Sequence, residues 1–425
     1  MIRKDYPRLR EHYYETVLPS GLTVRVVPRP GFSRKHAFLA VRCGSSDVSF
    51  TLEGRKVRLP AGTAHYLEHK MLDLPEGSVM QRFAANGASD NAFTGYSMTA
   101  FFFECADAFE ENLRTLLEMV FTPWFTEASV EKERGIIAQE IRMYEDSPGS
   151  AVSEQLYEAM YESHPLRLPI AGTVESIGEI TPETLQTCYD AFYYPANMML
   201  CCVGDLDPEK VEALAAEYAA DRGTVRAVPD WGPAPSLRPW KFRAKREMEI
   251  SMPTFQMGFS CPPPKTGAEI LEAEIIGELG ADLLMGESSP LYTALYEEGL
   301  IDATFGCGYE ELRGTAMLSA GGDSFEPEQV LERILKERDR LLREGPEKGL
   351  FERLRRAALG SRLRELDSFD GITARMCGYY FEDAEYYDFP AAFSRVGEEQ
   401  VLEFLSDTLR PERACLSVIL PKGGR

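Results

Sequence analysis

No uninterrupted apolar stretch in this chain is long enough to cross a bilayer, since a spanning helix needs about 20 such residues. The opening residues, Met1-Ile2-Arg3-Lys4-Asp5-Tyr6-Pro7, run into charge rather than an apolar segment, so no signal peptide is expected. The 9 cysteines are scattered, odd in number and without any C-x-x-C spacing. That excludes a disulfide framework and a zinc ribbon, and is the pattern of reduced, mostly buried thiols in a cytoplasmic protein. Basic residues are short as well: 46 Lys and Arg face 68 Asp and Glu, a net charge of −22. A phosphate backbone is held by clustered Lys and Arg, so nucleic acid is not expected as a partner, and nor is a membrane. Histidine is the scarcest titratable residue, with only 5 in the chain: His12, His36, His65, His69 and His164.

What is present is material for sizeable cores. The 425 residues are 44% hydrophobic and 27% charged, a globular composition in a chain long enough for two or three domains. Residues 22–27 and 36–43 read as strands, and 62–72, 76–87, 107–121 and 127–145 as helices. Residues 91–104 read as one strand rich in aromatics and Thr, 150–162 and 181–192 as helices, and 197–203 as a buried strand. From 222 to 245 the character changes to a polar stretch carrying Gly223, Pro229, Gly232, Pro233, Pro235 and Pro239, the signature of a linker. Strand and helix patterns then recur in a similar order: strand 249–260, helices 267–285 and 289–298, strand 302–320, helices 326–342 and 347–365, strand 414–420. The expected organisation is α+β, with a first half at 1–221, a linker at 222–245 and a second half of like design at 246–425.

Two of the five histidines stand four apart, in Ala64-His65-Tyr66-Leu67-Glu68-His69-Lys70. On a helix, positions i and i+4 share a face, so both imidazoles can converge on one metal ion, with Glu68 beside them as a proton acceptor. This H-x-x-E-H order is the inverse of the H-E-x-x-H zinc signature. At this composition about 0.01 such patterns are expected by chance. A catalytic zinc takes three protein ligands and leaves one position open. His164 is one candidate for the third, but Ser163-His164-Pro165 reads as a loop. The better candidate is Glu140: it lies seven residues after Glu133, on a helical face shared with Ile136, Ile137 and Tyr144. A carboxylate on an apolar stripe is costly unless it is paired or metal-bound. Glu133 is then left to accept a hydrogen bond from a ligating histidine and orient it.

These residues resemble the pitrilysin and mitochondrial processing peptidase family of zinc metallopeptidases, in the manner of its short bacterial members. The likeness runs over most of residues 20–205. It takes in Gly44-Ser45, Ala64 to His69, Asn91-Ala92-Phe93-Thr94, Glu133-Arg134 through Glu140, Gly172-Thr173-Val174-Glu175-Ser176-Ile177, and Tyr194-Pro195-Ala196-Asn197. The resemblance implies zinc held by His65, His69 and Glu140, with Glu68 as the catalytic base. It also implies a substrate-pairing edge strand, which makes Asn91 and Ala92 substrate-binding residues. The implied fold has two homologous halves, each a mostly antiparallel sheet packed with helices, in a clam-shell. The second half departs from the family pattern: where active members carry Arg-x-x-Gly-Leu-x-Tyr, this chain has Tyr296-Glu297-Glu298-Gly299-Leu300-Ile301-Asp302.

The expected function is zinc-dependent endopeptidase cleavage of extended or unfolded peptides, with Glu68 as general base. The resemblance further implies a homodimer, or a heterodimer with a related metal-free subunit. The alternative is a non-proteolytic or partner-dependent subunit of a processing or modification complex, one such subgroup being associated with elongation factor P modification. A metal hydrolase of small molecules is a third reading; an enclosed pocket would favour it, an open cleft the peptide.

Overall fold

The computed structural model describes residues 1–75, 77–220, 226–265 and 267–423. A seven-stranded sheet runs, edge to edge, Ile2–Tyr6, Glu11–Val17, Thr23–Pro28, Met198–Gly204, Lys35–Val41, Thr99–Cys105 and Ser89–Thr94. A five-stranded sheet runs Arg243–Met248, Ala414–Pro421, Thr254–Cys261, Thr315–Asp323 and Gly306–Leu312. The last five strands of the first sheet and the five of the second follow the same plan. In each, the first pair is parallel and every later pair antiparallel. The recurrence read along the chain is therefore a repeat of topology, and the α+β fold with two sheet-and-helix halves is as expected. Under this correspondence the edge strand Ser89–Thr94 has its counterpart in the edge strand Gly306–Leu312.

The central strand Met198–Gly204 is buried along its whole length. That is why it reads as a continuous apolar run rather than an alternating one. Each half also lends a helix to the other. Phe369–Phe381 packs Met376 and Cys377 into one core cluster with Phe38, Met199, Cys201 and Val203 of the first sheet. In return, Pro148–Met160 packs Leu156, Tyr157 and Met160 with Met317 and Cys415 of the second. Gln155 Nε2 donates to Ser417 Oγ (2.9 Å), which in turn donates to the Val152 carbonyl (2.8 Å).

Several expected elements are built differently. The single strand at 91–104 is a hairpin, broken between Thr94 and Thr99 by a turn containing Gly95 and Ser97. The strand at 302–320 is likewise a hairpin, turning at Arg313 and Gly314, whose φ angles are 50° and 73°. The helix at 76–87 shortens to Met80–Ala85, preceded by the two-residue strands Asp73–Leu74 and Gly77–Ser78; residue 76 lies outside the described residues. Of the expected linker, 222–225 lies outside the described residues. Its remainder is tied to the first half: Val228 pairs with Thr51, Trp231 Nε1 donates to Asp47 Oδ1 (3.0 Å), and the Trp240 and Lys241 amides donate to Met160 and Ala159. The strand Arg243–Met248 already begins inside that stretch. The sequence pattern does not announce the strands Ile2–Tyr6, Glu11–Val17, Ser49–Leu52 and Arg55–Arg58, nor the helices Val174–Gly178, Pro208–Tyr218, Phe369–Phe381, Phe389–Arg395 and Glu398–Thr408. No described helix is long and apolar enough to cross a membrane. The 9 cysteines are all free, and all but Cys307 are buried.

Candidate metal centre

The helix Thr63–Met71 carries the H-x-x-E-H residues and is buried along most of its length. Its start is set by a close approach of two glycines. A Cβ on Gly62 (φ +88) would stand 2.4 Å from the Ala171 carbonyl oxygen, and one on Gly172 (φ +75) 2.4 Å from that of Ala61. Only glycine allows both the left-handed backbone and this contact. Ser176 Oγ donates to Ala61 O (2.8 Å) and completes the clasp. On the other side the Tyr66 hydroxyl donates to the Val130 carbonyl and fastens this helix to Glu127–Glu145. That second helix starts on a Thr126–Ser129 capping box and brings Glu133 and Glu140 alongside. It buries Val130, Ile137 and Ile141. Ile136, expected on the same apolar stripe, is instead 47% exposed.

His65, His69 and Glu140 come together with one ligand atom each, all within 4.8 Å of one another, and form the one such group among the described residues. His65 Nε2 lies 3.6 Å from Glu140 Oε1, and His69 Nε2 lies 3.3 Å from Glu140 Oε2. Ligands placed about 2.1 Å from a tetrahedral zinc stand about 3.4 Å apart, so these spacings fit that ion. The donor set fits as well. His69 Nδ1 is 2.9 Å from Glu133 Oε1; with the proton on Nδ1, the Nε2 lone pair faces Glu140. His65 Nδ1 is buried and has no hydrogen-bond partner among the described residues, so packing against them orients that ring.

The electrostatics separate the two acids. His65 beside it and the Tyr144 hydroxyl, which donates at 2.7 Å, hold the Glu140 carboxyl down at about 2 against the penalty of burial. Glu140 is therefore an anion at any physiological pH. Burial pushes Glu68 up instead, opposed by a hydrogen bond from Thr94 Oγ1 (2.6 Å) and by the two histidines. An acid raised towards neutrality is suited to taking and returning a proton. Burial works against protonation of His69, but Glu133, Glu68 and Glu140 outweigh it and raise its affinity for a proton.

A cavity of about 460 Å³ opens over these residues, walled by Ala92, Phe93, Thr94, Tyr96, Glu154 and Tyr157 among others. Ala92 thus borders the site. Asn91 is exposed, and its side-chain oxygen accepts the Ala92 amide at 2.9 Å. His164 is not at the centre. It is buried, accepts the Leu166 amide on Nδ1 (3.3 Å), and is pulled down to about 4, first of all by burial. Thr94 and Tyr144 join the site as hydrogen-bond donors to Glu68 and Glu140, roles not assigned to them from the sequence. Tyr144 stands one helical turn after Glu140, a spacing from which its hydroxyl's role could have been read.

Residues 58–174 match the family described as Insulinase (Peptidase family M16), and residues 179–358 match the Peptidase M16 inactive domain. The chain is 35% identical over 427 residues to the uncharacterized zinc protease YmfH of Bacillus subtilis, an alignment covering 98% of this chain and 99% of that protein. The crystal structure of a putative M16-like peptidase from Alicyclobacillus acidocaldarius superposes with a TM-score of 0.92 at 32% identity, covering 97% of this chain and 98% of that one. A protease from Helicobacter pylori shares the fold, with a TM-score of 0.83 at 17% identity over 96% and 99% of the two chains. With a relative this similar along its whole length, and with both M16 domains matched, the chain belongs to the M16 insulinase family of peptidases.

Proposed function

We propose that this chain is a zinc-dependent endopeptidase that cleaves extended segments of peptide, with His65, His69 and Glu140 as metal ligands and Glu68 as general base. The observation that carries this reading is the coincidence, at one place, of a three-ligand group with zinc-like spacings and a buried carboxylate beside it. Relatives named as zinc proteases support it.

When bound, the zinc supplies a Lewis acid for the scissile carbonyl and lowers the pKa of a bound water. The chain's own residues do the rest. Glu68 Oε2 is held by Thr94, which leaves Oε1 to take the proton of the attacking water and pass it to the departing amine. Glu133 keeps the His69 ring in one tautomer, and Tyr144 holds Glu140. The strand Ser89–Thr94 ends its sheet and, among the described strands, pairs only with Thr99–Cys105. Its outer edge is free for an extended backbone, a mode that reads main chain more than side chain. An exposed edge strand lining the cavity favours a peptide over a small metabolite. The intact ligand group favours an enzyme over a scaffold, which has no use for it. Hydrolysis of an unstructured peptide by the zinc-loaded chain, and its loss in Glu68→Gln with zinc retained, test the reading.

A further inference from the structure

The second half lacks the family's Arg-x-x-Gly-Leu-x-Tyr grip, yet one of its side chains reaches the hairpin that ends in the substrate edge. Arg313 sits at the turn between Gly306–Leu312 and Thr315–Asp323, in the left-handed region (φ 50°) that non-glycine residues rarely occupy. From there its guanidinium crosses to the first half. Nη2 donates to Asp47 Oδ2 (2.7 Å) and to the Ser97 carbonyl (2.7 Å), and the group lies 4.9 Å from the ring of Trp231. The side chains of this pair are 3% and 0% exposed.

The receiving surface is equally committed. Asp47 also accepts the Gly44 amide (2.9 Å) and Trp231 Nε1 (3.0 Å). Residues 44–47 are sutured to the turn that follows Ser89–Thr94: the Ser45 amide donates to Gly95 O (2.9 Å), and Ser46 Oγ to Tyr96 O (2.6 Å). A Cβ on Gly44 would lie 2.4 Å from the Tyr96 backbone. The hairpin that ends in the edge strand is thus held at its turn from two sides, by the 44–47 loop and by a charge from the other half. Because the two hairpins are counterparts in the topological repeat, the contact is turn against turn.

We propose that Arg313 is a positioning residue that fixes the 94–99 turn, and through it the register of the edge strand offered to substrate. This rests on the peptidase reading for its consequence, though not for its geometry. A buried charge pair broken on one side leaves the other charge unpaired, so loss of Arg313 releases the turn rather than merely weakening it.

The test uses the full, zinc-loaded chain. Arg313→Gly deletes the guanidinium and suits the left-handed backbone; Arg313→Lys keeps a cation opposite Asp47. In Arg313→Gly the amides of 95–98 are expected to exchange with solvent about tenfold faster. KM for a flexible peptide is expected to rise about tenfold, with kcat within about threefold and zinc content unchanged. Arg313→Lys is expected to recover both to within about threefold of the parent. A folded Arg313→Gly chain with unchanged exchange at the turn and unchanged KM overturns the proposal, as does a loss confined to kcat. If Arg313→Gly does not fold, Asp47→Asn, which keeps an acceptor for Trp231, carries the same expectations and the same contradicting outcome. A parent chain that cleaves no peptide brings down the peptidase reading, while the exchange experiment still decides whether Arg313 braces the turn.

Discussion

Thr94 Oγ1 donates a 2.6 Å hydrogen bond to Glu68 Oε2, so the strand proposed to pair with substrate touches the acid proposed to move the proton. Behind this contact Thr99 Oγ1 lies 3.3 Å from Thr94 Oγ1 and donates to the Cys43 carbonyl (2.9 Å). The threonine pair is buried, and the geometry of the bond is fixed by the hairpin. A hydrogen bond to a charged group in such a place contributes about 1.5–3 kcal/mol. Thr94→Val, which keeps shape and removes the donor, is expected to lower kcat about ten- to a hundredfold with little change in KM or zinc content. Thr94→Ser should restore most of it. Steady-state kinetics of the two variants on one peptide decide between this and a purely steric role.

In the proposed mechanism Glu68→Gln removes the base but no ligand. Zinc content should stay at the parent value while peptide hydrolysis falls by about 10²–10⁴-fold, the contribution of a positioned general base. Metal analysis and hydrolysis of the same sample check both halves of that statement.

The ligand assignment separates Glu140 from its neighbours. Glu140→Gln is expected to abolish tight zinc binding. Glu133→Gln, which acts through the His69 ring, should weaken it about 10- to 100-fold. His164→Ala should leave it unchanged, because that ring is buried away from the ligand group and accepts the Leu166 amide. Zinc titration against a competing chelator orders the three.

A pH effect on stability is expected away from the metal. Burial first, then Glu382 and Glu274, push Glu311 from the ordinary 4.5 up to about 7. Its folded form therefore holds a proton more tightly than its unfolded form. Its contribution to stability is present below 4.5 and is lost as pH rises from there through 7. Glu311→Gln should raise the thermal midpoint at pH 8 relative to the parent and change it least near pH 4.5. Melting curves at the two pH values check the sign.

Local features were the legible ones. His65, Glu68 and His69 announce themselves because a helix repeats every 3.6 residues, and Glu133 and Glu140 because seven residues make two turns. Thr94 was visible as a letter but not as a partner of Glu68, since which strand face meets the helix is decided by packing between elements. The Asp47–Arg313 pair joins positions 266 apart, and no periodicity within either segment points to the other. The hairpins at 89–105 and 306–323 were read as single strands because their turns are short and flanked by apolar residues on both sides. Of the helices between 369 and 408, Phe389–Arg395 is only 7 residues long, and Phe369–Phe381 has its apolar residues spread around it to fill the space between two sheets.

The most direct test of the metal-dependent peptidase is hydrolysis of an unstructured peptide by the purified chain before chelation, after chelation, and after zinc is returned. About one zinc per chain, activity lost to the chelator with the fold intact, and activity regained with zinc are the results expected. A folded chain that binds no zinc, or that cleaves equally well without it, would contradict the assignment of His65, His69 and Glu140.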